Sequence, residues 1–144
     1  MSRVSSFLAS EAIERAGVSL DAVRDALPSV ESDTVFVRPA GMIMRRTWAT
    51  GVLAVTTPWG VFAHPRVMWW WQSGSNDRNL AELVIHELVH VEQLNNVGLV
   101  KHATKYLSDY LRARRAGLTH QQAYLGLDAE IEARQIARRV VASV

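Results

Sequence analysis

Residues 79–95 read Asn-Leu-Ala-Glu-Leu-Val-Ile-His-Glu-Leu-Val-His-Val-Glu-Gln-Leu-Asn, with His86, Glu87 and His90 in an H-E-x-x-H pattern. The stretch holds no glycine or proline, and its apolar residues recur at helical spacing. That predicts a helix from Asn79 to about Asn95, capped by Asp77 or Asn76 and ended by Gly98. Val84, Ile85, Leu88, Val89 and Val91 leave it apolar around most of its circumference, the mark of a buried helix. Positions 86 and 90 lie one turn apart on one face, so two imidazoles can converge on one metal ion. Glu87 sits one step around the helix, in reach of a metal-bound water without itself being a ligand. Two histidines and a glutamate on a buried helix are costly without a partner.

The sequence changes period on the N-terminal side of this helix. Val35-Phe36-Val37, Met42-Ile43-Met44, Val52-Leu53-Ala54-Val55 and Val61-Phe62-Ala63 are short β-branched or aromatic runs. Pro39-Ala40-Gly41, Thr50-Gly51, Pro58-Trp59-Gly60 and His64-Pro65 punctuate them as turns. Residues 35–72 therefore read as a sheet of three or four antiparallel strands. Met68-Trp69-Trp70-Trp71, taken as part of it, would turn at least one indole outward, as core and rim filling or as an aromatic wall beside a cleft. Residues 1–34 read as a helical segment, with helices over 6–16, closed by Gly17, and over 20–27, capped by Ser19 and ended by Pro28. Helices follow the motif over 99–116, from Thr119 to Tyr124, and from Leu127 or Asp128 to about Val141. With no repeat and no linker, the expectation is one α+β domain over residues 1–144, its small twisted, mainly antiparallel sheet packed on the motif helix.

Composition narrows the chemistry. The 144 residues include no cysteine, which removes disulfides, thiolate metal sites and cysteine nucleophiles. No stretch approaches the roughly 20 apolar residues of a membrane span, and Glu11 interrupts any secretory leader, so a cytoplasmic chain is expected. The net charge of +2 alternates along the chain: −3 over 1–36, +4 over 37–76, −3 over 77–100 and +4 over 101–144. A nucleic-acid binder concentrates positive charge on one face, so this alternation argues against that partner despite Arg112, Arg114 and Arg115.

A zinc hydrolase needs a third protein ligand. The candidates are His64, His102, His120, Glu92, Asp128, Glu130 and Glu132. Glu92 falls roughly opposite the histidine stripe. In the last helix Ala129, Ala133, Ile136, Ala137 and Val140 define the buried stripe, close to Glu130 and further from Glu132. Glu130 is therefore favoured, with Glu132 as runner-up.

Taken together, His86-Glu87-Leu88-Val89-His90-Val91-Glu92-Gln93 and the later Glu130-Ile131-Glu132-Ala133 resemble the gluzincin class of zinc metallopeptidases. The likeness is to their small bacterial, minigluzincin-like domains and spans roughly residues 42–140. It implies that His86, His90 and Glu130 bind Zn2+, that Glu87 is the general base, and that a sheet edge holds an extended peptide or protein substrate. In many gluzincins an aspartate four residues after the glutamate ligand buttresses a metal histidine. Here Arg134 stands there and cannot accept a hydrogen bond, so that support must come from elsewhere, with Gln93 on the histidine face as one candidate.

The mechanism this implies is hydrolysis by metal-activated water, with Glu87 taking and returning the proton. Tyr106, Tyr110, Tyr124, His102 and His120 are the candidate donors to the developing oxyanion. Two other readings remain: a catalytically idle, zinc-stabilised interaction module, and an ImmA/IrrE-like repressor-cleaving peptidase. The latter family has a characteristic apolar-Met-Pro segment where this chain has Arg138-Arg139-Val140-Val141.

Overall fold

The computed structural model describes residues 6–48 and 51–143. Its longest helix, α5 (Asp77–Val97), buries Leu80, Ala81, Val84, Ile85, Leu88 and Val89 at helical spacing. Each such Leu or Ile contributes roughly 2 kcal/mol of apolar burial, so this face fixes where its neighbours settle. Gly98, at φ 89°, stops α5 and lets the chain reverse into α6 (Leu99–Arg115).

The fold is α+β, with eight helices among the described residues and a four-stranded sheet. Its strands are β1 (Phe7–Leu8), β2 (Phe36–Pro39), β3 (Ala54–Thr57) and β4 (Gly60–Ala63), in the order β1-β2-β4-β3. The β1–β2 and β3–β4 pairings are antiparallel and β2–β4 is parallel, so the sheet is mixed and mainly antiparallel. Alternation buries Val37, Val61, Ala63 and Ala54 on the face toward α5. Thr56 shares that face of β3, which carries its hydroxyl to the motif helix. Strand β3 is an edge of the sheet.

Three expectations for residues 6–72 are corrected. Phe7–Leu8, placed inside a helix by the sequence, pairs with Phe36 and Val37 as β1, and α1 (Ala9–Arg15) starts after it. Met42–Arg45 forms the short helix α3 instead of a strand. Met42 and Ile43 are exposed there, so no sheet face rewards their β-type spacing. Met68–Trp71 lies in helix α4 (Pro65–Ser73). His64 Nδ1 accepts from the Arg66 N–H at 3.1 Å, Pro65 opens the first turn, and Gly74, at φ 63°, closes the helix. At helical spacing the indoles fan out: Trp69 is exposed, while Trp71 stacks on Phe7 with centroids 4.4 Å apart, beneath the Arg15 guanidinium. They form no wall beside the motif.

The other helices follow the sequence closely. They are α2 (Leu20–Ala26), capped by Ser19, then α6, α7 (His120–Leu125) with a capping box from Thr119 and Gln122, and α8 (Asp128–Ala142). The turn expected at Thr50-Gly51 has Thr50 outside the described residues, and residues 1–5 of the expected N-terminal segment also lie outside them. No described helix is long and apolar enough to cross a membrane. Helix α8 makes the most extensive helix–helix packing with α5, burying Ala133, Ala137 and Val140. These small residues let the two backbones approach, which brings the first turn of α8 beside the H-E-x-x-H face.

Candidate metal centre

His86 and His90 project from one face of α5, with ring centroids 5.1 Å apart. Glu130, on the first turn of α8 and only 4% exposed, reaches both. Its Oε2 lies 3.0 Å from His86 Nε2 and its Oε1 2.9 Å from His90 Nε2. A carboxylate at a helix N-terminus is also favoured by the local dipole.

His90 is held from behind. Its Nδ1 lies 2.8 Å from Gln93 Oε1. The Gln93 amide nitrogen donates to the Ala129 carbonyl at 3.1 Å and to Glu132 Oε1 at 3.0 Å, which fixes the oxygen of that amide toward His90. His90 Nδ1 therefore donates, and in the neutral ring Nε2 carries the lone pair. Gln93 supplies the support that Arg134 cannot give; Arg134 instead donates to the Leu125 carbonyl at 2.8 Å.

Electrostatics bind the cluster together. Burial works to lower the pKa of His90, but the carboxylates of Glu130 and Glu87 outweigh it and raise it to about 9. Burial works to raise that of Glu130, and the two histidines overcome it, holding it at about 2. Burial, with charged His90 beside it, lowers His102. Tyr106 and Tyr124 are pushed up by burial and by the same carboxylates, so both stay protonated donors.

Glu87 is 3% exposed, and its Oε2 accepts from the Thr56 hydroxyl at 2.7 Å. Ligand-capable atoms of His86, Glu87 and His90 all lie within 4.8 Å of one another, a group that can hold a metal ion. His90 Nε2 tests the fit. It is buried, and although Glu130 Oε1 is close, the angle is too poor for a hydrogen bond, so Nε2 has no partner among the described residues. An orphaned imidazole nitrogen facing a carboxylate and a second imidazole fits a divalent ion of the zinc type.

Two cavities meet at this centre. One of about 280 Å3 is bounded by Thr56, Glu87, His90, Tyr106, Tyr124 and Glu130. The other, about 240 Å3, opens on the side of His86, Leu83 and Arg134. Tyr124, Glu87 and Glu130 border both.

Of the remaining ligand candidates, His102 borders the cavity beside Glu87, and the others lie elsewhere. His64 caps α4 near Arg45 and Arg66; its slight burial and then their charge lower its pKa. Glu92 accepts from the Ser29 N–H at 2.9 Å, and His120 pairs with Tyr110 at 2.6 Å. Asp128 meets Lys105 at 3.3 Å, and exposed Glu132 accepts from the Gln93 amide. Of the oxyanion candidates, His102, Tyr106 and Tyr124 border the cavity beside Glu87, whereas Tyr110 and His120 do not. The sequence reading missed Thr56, a threonine among short strands with no local sign that its hydroxyl meets a residue 31 positions on. In comparisons with family models, curated proteins and solved structures, nothing matches this chain.

Proposed function

We propose that the chain is a zinc-dependent peptide hydrolase of the gluzincin type, with His86, His90 and Glu130 holding the metal and Glu87 acting as general base. The observation that carries this reading is the Glu130 carboxylate meeting both imidazole Nε2 atoms while the Glu87 carboxylate lies alongside. Zinc bound there supplies Lewis acidity, polarising a carbonyl and making water easier to deprotonate near neutral pH.

The chain's own groups do the rest. Thr56 holds the Glu87 carboxylate in one orientation, ready to take a proton from water and pass it to the leaving amine. Gln93 fixes the His90 ring and thereby the nitrogen offered to the metal. Tyr124, bordering both cavities as a protonated donor, is suited to a developing oxyanion. Edge strand β3 offers backbone groups for an extended peptide, the substrate class this site suits.

Metal content and hydrolysis test this together. The purified protein should hold about one zinc per chain, and His86→Ala or His90→Ala should abolish it. Glu87→Gln should keep the metal and lower peptide hydrolysis by about a hundredfold or more. Zinc retained without both histidines would dismiss the site. Zinc bound with no hydrolysis in the wild type would leave a structural metal module.

A further inference from the structure

Across β3 from the metal centre lies a larger cavity of about 430 Å3. Met44, Trp48, Val52, Val55, Leu107 and Tyr110 form most of its wall. It adjoins the metal-side cavity, sharing Val55, Tyr106 and Tyr124 with it. Among the described residues, no Asp, Glu, Lys or Arg borders it. Several of its polar side chains pair locally: Tyr110 with His120 at 2.6 Å, Thr57 on the Gly60 carbonyl at 2.9 Å and Thr47 on the Met44 carbonyl at 2.7 Å. The wall is thus mostly apolar and free of carboxylates, Lys and Arg among the described residues, in a volume many times the ~30 Å3 share of one water.

The geometry of β3 says what reaches it. The His64 N–H donates to the Leu53 carbonyl at 2.8 Å, making 53 and 64 a hydrogen-bonded pair. Antiparallel alternation then turns the N–H and C=O of Val55 and Thr57 toward β4, and those of Ala54 and Thr56 toward the open edge. A peptide pairing with that edge extends the sheet, and its side chains alternate between the two faces. Those on the Ala54 and Thr56 face meet Glu87 and the histidines. Their neighbours fall on the Val55 and Thr57 face, where the cavity is.

We propose that this cavity is a side-chain subsite selecting peptides with a bulky uncharged residue, aromatic or long aliphatic, next to the residue held at the metal centre. It rests on the peptide-hydrolase reading above, and the test separates the two. Zinc-loaded Glu87→Gln protein is titrated calorimetrically with blocked alanine peptides carrying Phe, Leu, Ala or Asp at one position scanned along the chain, and the wild type is assayed for cleavage of the same set. At one position Phe and Leu should bind about tenfold or more tighter than Asp, with Ala between. Leu107→Trp, at a half-exposed site that tolerates the larger ring, should fill the cavity and bring Phe and Ala within about twofold. Equal affinity for Phe and Asp, or a preference untouched by Leu107→Trp, overturns the subsite. Selective binding without wild-type cleavage upholds the subsite and removes the hydrolase. Cleavage without side-chain preference does the reverse, and neither binding nor cleavage ends both.

Discussion

The Thr56 hydroxyl is the group that holds the Glu87 carboxylate, at 2.7 Å in a position where Glu87 is almost wholly buried. A hydrogen bond to a buried charge is worth more than a neutral one, and deleting the donor leaves the carboxylate short of a partner. Thr56→Val should therefore destabilise the protein by about 1–3 kcal/mol in urea unfolding. It should also slow peptide hydrolysis about tenfold or more with zinc content unchanged, and Thr56→Ser should restore both. A Val variant equal to wild type in stability and rate would mean that Glu87 is oriented by something else. Gln93 and Thr56 show where sequence reading succeeds and fails at this scale. Gln93 shares the histidine face of one helix, so its bond to His90 follows from spacing alone. Thr56 meets Glu87 only because the sheet folds onto α5, and no local pattern announces it.

Among the elements, α8 matters through its rotational phase. Ala133, Ala137 and Val140 bury one stripe, and that stripe turns Glu130 inward and leaves Glu132 in solvent. Glu130→Ala should accordingly weaken zinc binding by about a hundredfold or more, measured by competition with a chelator. Glu132→Ala, acting only through Gln93 on His90, should cost about tenfold or less. The reverse order would require α8 to sit rotated from its observed phase. Helices with an apolar stripe and end signals were legible: α5, α6, α7 and α8 fall within a residue or two of their reading. The sheet was less so. Met68–Trp71 has strand-like composition, yet Pro65 and Gly74 bracket it as a helix, and Pro65 was read only as a turn. Strand β1 is two residues long and exists because β2 lies beside it, a long-range cause that no window of sequence contains.

For the molecule as a whole, folding forces one carboxylate and two imidazoles out of water into contact, and that juxtaposition sets how stability varies with pH in the metal-free protein. The net charge is only +2 and its sign alternates along the chain, so general repulsion is small and the buried cluster dominates. Glu130 has an ordinary pKa of 4.5 and is held at about 2 in the fold. Its contribution is full above 4.5 and is lost as pH falls toward 2. His90 moves the other way, from 6.5 to about 9, so its contribution is full below 6.5 and is lost as pH rises through 9. The two shifts share the His90–Glu130 contact, which counts once, for an effect on the order of a few kcal/mol. The metal-free protein should thus be most resistant to urea between about pH 4.5 and 6.5, weakening on both sides. Glu130→Gln should flatten the profile. Zinc requires the neutral imidazole, so adding it should remove the alkaline loss and release protons, seen as a buffer-dependent heat in calorimetry. A metal-free midpoint that climbs steadily from pH 5 to 9 would show that the buried cluster does not govern the whole.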